Sequence, residues 1–206
     1  MTVDSQWTRV LERTIADVIH HLNGRIMTLR GVLYAAQAQP TPGADLIALI
    51  EEEIRQAEQY AWGLQSIPRG QDQAEAPISI IEAVRQAVAA KRLNRSTSIE
   101  VSAPSDVPLV MRAVPNEVVK ALILLLRAAA ENRRRTGDRI TVEVVPKAGE
   151  AHIVIGTEGR NQGAGAAAVE EARAVAGGFG GTVSAAFDAD AFTAVLVLPL
   201  VTNEPG

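Results

Sequence analysis

Apolar residues recur at steps of three and four through the first third of the chain, and this spacing limits what that third can fold into. One series runs from Trp7 to Ala36, which is the pattern of a long amphipathic helix with a heptad-like seam. Proline and glycine at positions 40–43 would end that helix, and a second series over 47–64 predicts another helix that closes near Pro68. Two long helices joined by a short turn predict an antiparallel hairpin.

Each helix of such a hairpin covers only part of the apolar face of its neighbour. Two hairpins together would bury both faces in a four-helix bundle, and heptad spacing suits the crossing angle of about 20° in such bundles. The sequence therefore predicts a homodimer through the N-terminal helices. The alternative is that the two apolar stripes lie against the second half of the same chain.

The composition of the 206-residue chain excludes several classes of protein. A net charge of −4 at pH 7 argues against a nucleic-acid binder, because such proteins usually carry a basic face. Without cysteine there is no disulfide framework, thiolate metal site or cysteine nucleophile. No apolar run approaches the roughly 20 residues of a membrane span, and the first residues lack the apolar core of a signal peptide. We therefore expect a cytoplasmic protein that binds neither nucleic acid nor membranes.

The second half of the chain has a mixed pattern, typical of an α+β layer sandwich. Residues 69–77 are polar and lack apolar periodicity, as in a linker. Beyond them we predict helices over 78–94, 116–135 and 166–176, and strands over 98–102, 139–145, 152–157, 182–187 and 192–198. The predicted domains are a helical hairpin over 1–68, the linker over 69–77, an α/β sandwich over 78–201 and a tail over 202–206.

One histidine of the first helix has a position that suits chemistry at a surface. At about 100° per residue, His20 falls almost opposite the seam that contains Leu22 and Leu29, whereas His21 falls on the flank. His20 should therefore point into solvent midway along a long helix, where a neutral imidazole nitrogen can act as a nucleophile. The alternative is an ordinary surface histidine.

The order of these elements and several local strings resemble the transmitter core of bacterial histidine kinases. The string over 19–31 is similar to the H-box of that family, and the string over 163–178 is similar to its glycine turn, helix and closing Gly-Gly. The last two predicted strands also match. The resemblance implies a dimeric four-helix bundle that carries the phosphorylated histidine, followed by a histidine-kinase-type ATPase sandwich. It assigns His20 as the phospho-acceptor, with His21 and Asn23 as candidate auxiliary residues.

The nucleotide site of the family is where the sequence departs from this resemblance. Leu124 and Ala128 stand where the family has the asparagines that help to hold Mg²⁺ and phosphate, and apolar side chains offer no oxygen to a hard cation. Thr157 stands at the position of the aspartate that reads adenine, although Glu158 would take that place if the register slipped by one residue. ATP binding is therefore predicted to be lost. The alternative is a divergent site that still works.

The neighbours of His20 depart from the kinase pattern as well. The acidic residue that follows the histidine in kinases is His21 here, and the usual phosphatase position is Gly24. Both departures argue against kinase and phosphatase chemistry.

Elsewhere, His152 has no neighbouring ligand in its strand and is predicted to be structural. The arginines at 133–135 suit either phosphate binding or a solvated helix end.

The resemblance then implies a dimeric histidine phosphotransferase of a two-component phosphorelay. It would relay phosphate through His20 between the aspartates of response-regulator receiver domains, without ATP and with no cofactor or metal of its own. The receiver partner would supply Mg²⁺. Two alternatives stay open: a non-catalytic dimeric scaffold that binds a response regulator or kinase, and a divergent, weak histidine kinase.

Overall fold

The chain folds into two compact units, residues 1–65 and residues 66–206. The computed structural model describes seven stretches of the chain, namely residues 4–37, 44–65, 74–92, 98–104, 108–133, 138–159 and 163–201. The predicted turn of the hairpin and the predicted closing residues near Pro68 lie outside these stretches.

The first unit is the predicted helical hairpin. Its helices are α1 (Asp4–Gln37) and α2 (Ala44–Gln65), and they contact each other along their apolar faces. Val32 is buried between them, and Leu22 and Leu29 of the same face are half-buried. The heptad-like spacing in the sequence therefore predicted both helices correctly.

An ion pair links the two helices of the hairpin. The Arg25 guanidinium donates a hydrogen bond to the Glu53 carboxylate, and the side chains are only 14% and 7% exposed. A buried ion pair of this kind offsets the cost of removing both charges from water only while both partners are present. The second oxygen of Glu53, Oε2, is buried without a hydrogen-bond partner among the described residues.

The hairpin leaves part of its apolar seam uncovered. Large aliphatic side chains lie on the flank of α1 and α2 at 44–55% exposure. They form what we term the hairpin stripe: Ile15, Ile19, Ile26, Leu33, Ile47 and Ile54.

Within its described stretches, the second unit has three helices and two sheets. Its elements in chain order are β1 (Ala76–Ser79), α3 (Ile80–Arg92), β2 (Ser98–Ser102), β3 (Val110–Ala113), α4 (Pro115–Asn132), β4 (Arg139–Lys147), β5 (Glu150–Glu158), α5 (Ala166–Gly177), β6 (Thr182–Phe187) and β7 (Ala191–Pro199). The larger sheet has the strand order β2-β4-β5-β7-β6, in which β2 runs parallel to β4 and the other neighbours are antiparallel. The smaller sheet pairs β1 with β3.

The core of this unit lies between the helices and one face of the larger sheet. Buried and more exposed residues alternate along β4, β5 and β7, as expected for strands with one face covered. Helix α4 contacts these three strands and both other helices, and nearly all of its residues from Val118 to Ala129 are buried. Neither α4 nor any other helix in the described stretches is long and apolar enough to cross a membrane. The predicted α+β sandwich is confirmed.

Three boundaries in this unit were predicted wrongly. The helix predicted over 78–94 begins at Ile80, because Ile78 and Ser79 belong to β1 and pair with β3. Strand β1 also contains Ala76 and Pro77, which had been assigned to the linker. The helix predicted over 116–135 ends at Asn132, where Arg133 forms a β-bridge with Gly159. The small sheet was missed because four-residue strands give too short an alternation to read.

The Arg25–Glu53 pair provides a test of how the hairpin is held together. Glu53→Ala should lower the free energy of unfolding of the hairpin by about 3 kcal/mol, because Arg25 would stay buried without its partner. Both tryptophans of the chain, Trp7 and Trp62, lie in this unit, so tryptophan fluorescence during urea unfolding reports on it at a fixed protein concentration. Glu51→Ala, at an exposed glutamate of α2, should change the value by less than about 0.5 kcal/mol. Equal effects of the two substitutions would contradict the assignment.

Candidate functional site

His20 is an exposed residue near the middle of α1. Its side chain is exposed, whereas those of Leu22 and Leu29 are half-buried. This exposure agrees with the orientation predicted from the helical period, and the role of His20 as phospho-acceptor stays a prediction. Asn23 is exposed as well, and the side chain of His21 lies outside what the structure describes.

The surface of α1 that continues from His20 toward the C-terminal end of the helix is open. Gly24 and Gly31 lie four and eleven residues after His20, and a Cβ built on either glycine would meet no atom within 4 Å. Met27 and Tyr34, on the same side of the helix, are 70% and 78% exposed. His20, Met27 and Tyr34 are thus three exposed side chains of α1.

At the two positions where the resembled family has metal-holding asparagines, this chain has apolar side chains packed in the core. Leu124 and Ala128 lie one turn apart on α4, and both are 0% exposed. Their side chains carry no oxygen and face the core, so neither can contribute to a magnesium site. Within the described stretches, no three histidine, aspartate or glutamate residues come together in a way that could hold a metal ion.

Thr157 occupies the place of the adenine-reading aspartate, on the buried face of β5. It is 7% exposed, and its hydroxyl donates to backbone carbonyls at 3.1 Å from Arg139 O and 3.3 Å from Glu158 O. Glu158 does not replace it, because successive strand residues point to opposite faces and the Glu158 side chain is exposed. The alternative of a register slip is therefore not supported.

The glycine turn, Gly163–Gly165, lies directly on α4 at Ala128. Gly165 has φ of 79°, which favours glycine, and a Cβ at this residue would lie 2.7 Å from Ala128 Cα. An asparagine side chain at position 128 would have to enter this contact. The residues present therefore do not fit a magnesium–nucleotide complex, both in their chemistry and in the space they leave.

Sequence reasoning missed Asn132, the last residue of α4. It is 2% exposed, and its side-chain amide donates to the carbonyl oxygen of Ala164 in the glycine turn and to Ala128 O at 2.8 Å. No motif marks an asparagine at this place, since its role depends on the turn that returns to α4 about thirty residues later in the chain. Its spacing of four from Ala128 was the available signal, because it places both residues on one helical face.

The two remaining candidates have local partners. His152 Nε2 lies 3.1 Å from Glu150 Oε2 on the same strand, so it has a neighbour that the sequence analysis did not identify, and its structural role stays a prediction. Arg133 donates from Nε to Ala130 O at 3.2 Å. Burial lowers the pKa of the Arg133 guanidinium, and the Asp138 carboxylate acts in the opposite direction. Residues 134 and 135 of the arginine run lie outside the described stretches, so a phosphate-binding role of the run is not tested.

Several solved structures are similar to the chain, although no protein-family model and no curated protein sequence matches it. The histidine kinase AdeS of Acinetobacter baumannii matches over 89% of this chain and 98% of its own, with 13% identity and a TM-score of 0.52. The mycobacterial sensor histidine kinase MprB matches over 62% of this chain and 98% of its own, with 19% identity and a TM-score of 0.51. The chain has the fold of a histidine kinase transmitter core.

A structure described as a bacterial phosphotransferase shares this fold. It matches over 88% of this chain and 92% of its own, with 16% identity and a TM-score of 0.53. Matches over 88% and 89% of the chain have to include residues of both units, because the second unit alone is shorter than that. The transmitter-core resemblance found in the sequence is thus confirmed at the level of the fold.

We propose that the transmitter core of this chain does not bind magnesium–ATP. Calorimetric titration of the full chain should give no binding tighter than a dissociation constant of about 100 μM, which corresponds to about −5.5 kcal/mol. The reason is that Leu124 and Ala128 supply no ligand and Thr157 is committed to backbone carbonyls. A tighter dissociation constant would contradict the proposal and support the weak-kinase alternative.

Proposed function

We propose that this chain is a histidine phosphotransferase of a two-component phosphorelay, which accepts and donates phosphate at His20 without using ATP. The observation that carries the proposal is the contrast between the two units. His20 is exposed on an open helix surface, whereas the positions that hold nucleotide in the resembled family are buried and apolar. The similarity to histidine kinases and to a structure described as a phosphotransferase supports a role in two-component signalling.

The proposed reaction uses a phosphate that is already activated. The unprotonated imidazole nitrogen of His20 attacks the phosphorus of an aspartyl phosphate on a receiver domain. A nitrogen–phosphorus bond forms while the phosphorus–oxygen bond to the aspartate breaks, and the aspartate leaves as a carboxylate. The imidazole then releases its remaining ring proton to solvent. The reverse sequence passes the phosphate to the aspartate of a second receiver.

The residues around His20 are consistent with this transfer. An acyl phosphate is a good phosphoryl donor, and the receiver would bring Mg²⁺ with it, so His20 needs neither an adjacent acid nor a bound nucleotide. His21 in place of the acid and Gly24 at the phosphatase position fit that lower demand. His21 and Asn23 remain candidate auxiliary residues.

The proposal includes a homodimer formed through the hairpin. The hairpin stripe places aliphatic side chains in solvent at 44–55% exposure along both helices. A second copy of the hairpin would bury them in a four-helix bundle, in which each fully buried aliphatic side chain contributes roughly 1.5–3 kcal/mol. His20 lies on another side of α1, and it would stay accessible in such a dimer.

Phosphate transfer from a panel of phosphorylated receiver domains tests the role of His20. The wild-type chain should acquire an acid-labile phosphate, and His20→Gln should abolish the label while leaving the melting temperature nearly unchanged, because an exposed side chain contributes little packing. His21→Gln is the matched control and should retain most of the label. A label that survives His20→Gln would contradict the proposal. Binding of receivers without any transfer would favour the scaffold alternative.

A charge in the hairpin stripe tests the homodimer. Ile26→Asp should dissociate the dimer, because the carboxylate would be buried without a partner at the interface. The single hairpin should still fold, since Ile26 is 49% exposed in it. Met27→Asp is the control, since Met27 lies on the side of His20 and is 70% exposed. Light scattering should then show a monomer for the first variant only. A wild-type chain that is monomeric at micromolar concentration would contradict the proposed dimer.

A further inference from the structure

Asn132 makes contacts that reach beyond its own helix. Its side-chain Nδ2 donates to Ala128 O within α4 and also to Ala164 O in the glycine turn. Its backbone carbonyl lies against Gly159, where an added Cβ would be only 2.5 Å from Asn132 O. One residue at the end of α4 therefore contacts both the chain that leaves β5 and the turn that precedes α5.

Asn132 lies on the face of α4 that carries the two positions at which the resembled family holds metal and phosphate. We term the space between this face and the glycine turn the crevice. Residues four apart on a helix are neighbours on one face, so Asn132 continues the face that carries Leu124 and Ala128. The glycine turn lies on this face, with Gly165 against Ala128 and Ala164 against Asn132. The bond to Ala164 O crosses from α4 to the glycine turn, and a buried hydrogen bond of this kind is costly to remove because its acceptor loses that partner.

We propose that Asn132 fastens the glycine turn to α4, so that the crevice is closed by a specific hydrogen bond and not only by the loss of nucleotide ligands. The inference rests on the proposed function, which requires no ATP, and extends it. If the crevice is closed in this way, restoring the missing asparagines cannot restore nucleotide binding.

Hydrogen–deuterium exchange on the full chain tests the fastening directly. The first turn of α5 contains amides bonded back to the glycine turn, with Ala166 N donating to Gly163 O at 3.2 Å and Ala168 N to Gly165 O at 3.0 Å. In Asn132→Ala these amides should exchange about fivefold faster than in the wild type, as expected for the loss of one net hydrogen bond. The amides of β5 should keep their protection.

Two further variants keep this experiment decisive. Asn132→Leu is close to asparagine in size and carries neither a donor nor a charge, so it should give the same local increase even if the alanine variant is poorly folded. Glu131→Ala, at the exposed neighbour that pairs with Arg127, is the control and should leave the first turn of α5 unchanged. Unchanged exchange in both Asn132 variants, or an equal increase in the control, would overturn the proposal.

Restoring the lost residues supplies a second readout. The double variant Leu124→Asn with Ala128→Asn should still fail to bind magnesium–ATP in the full chain, and its melting temperature should fall because position 128 lies under Gly165. Measurable nucleotide binding by this variant would overturn the closed crevice. Binding by the wild-type chain would instead contradict the proposed function, so the two failures can be told apart.

Discussion

The burial of α4 is the constraint on which the second unit depends. From Val118 to Ala129 this helix is apolar on nearly every side, so it has to be covered by other elements on all of its faces. The larger sheet covers one side and α3 and α5 cover others, which produces the layered sandwich. The glycine turn also packs on α4, at Ala128, which is a position where the resembled family has a metal-holding asparagine. The packing that stabilises the core is thus the same packing from which we propose that the nucleotide site is lost.

The two units differ in the surfaces that they offer to ligands and partners. In the second unit, two of the positions that hold metal and phosphate in the resembled family are buried and apolar, and the proposed function therefore places the chemistry in the hairpin. The hairpin in turn shows two kinds of surface on α1. The hairpin stripe suits a second copy, and the open surface that continues from His20 suits a partner that approaches the imidazole. The proposed relay uses both surfaces at once, because they lie on different sides of the helix.

The sequence predicted most of the fold because its signals were local and long. Steps of three and four over thirty residues identified α1, and alternation identified all five strands of the larger sheet. The small sheet was missed because its two strands have only four residues each, too few for a clear alternation. A capping signal was available: Ser79 precedes Glu82 by three residues, and Glu82 N donates to Ser79 Oγ at 3.3 Å at the start of α3. The exposure of His20 followed from helical geometry alone, whereas the contacts of Asn132 depend on a turn distant in sequence.

Transfer of phosphate through His20 without nucleotide is tested most directly when neither an upstream kinase nor ATP is present. The purified chain is phosphorylated with phosphoramidate, a small-molecule phosphoryl donor, freed of the donor, and mixed in nucleotide-free buffer with single receiver domains. The account predicts that phosphohistidine at His20 disappears faster with a cognate receiver than alone, while phosphate appears on the receiver aspartate in equal amount. Decay of the phosphohistidine at the same rate with and without every receiver tested would contradict it.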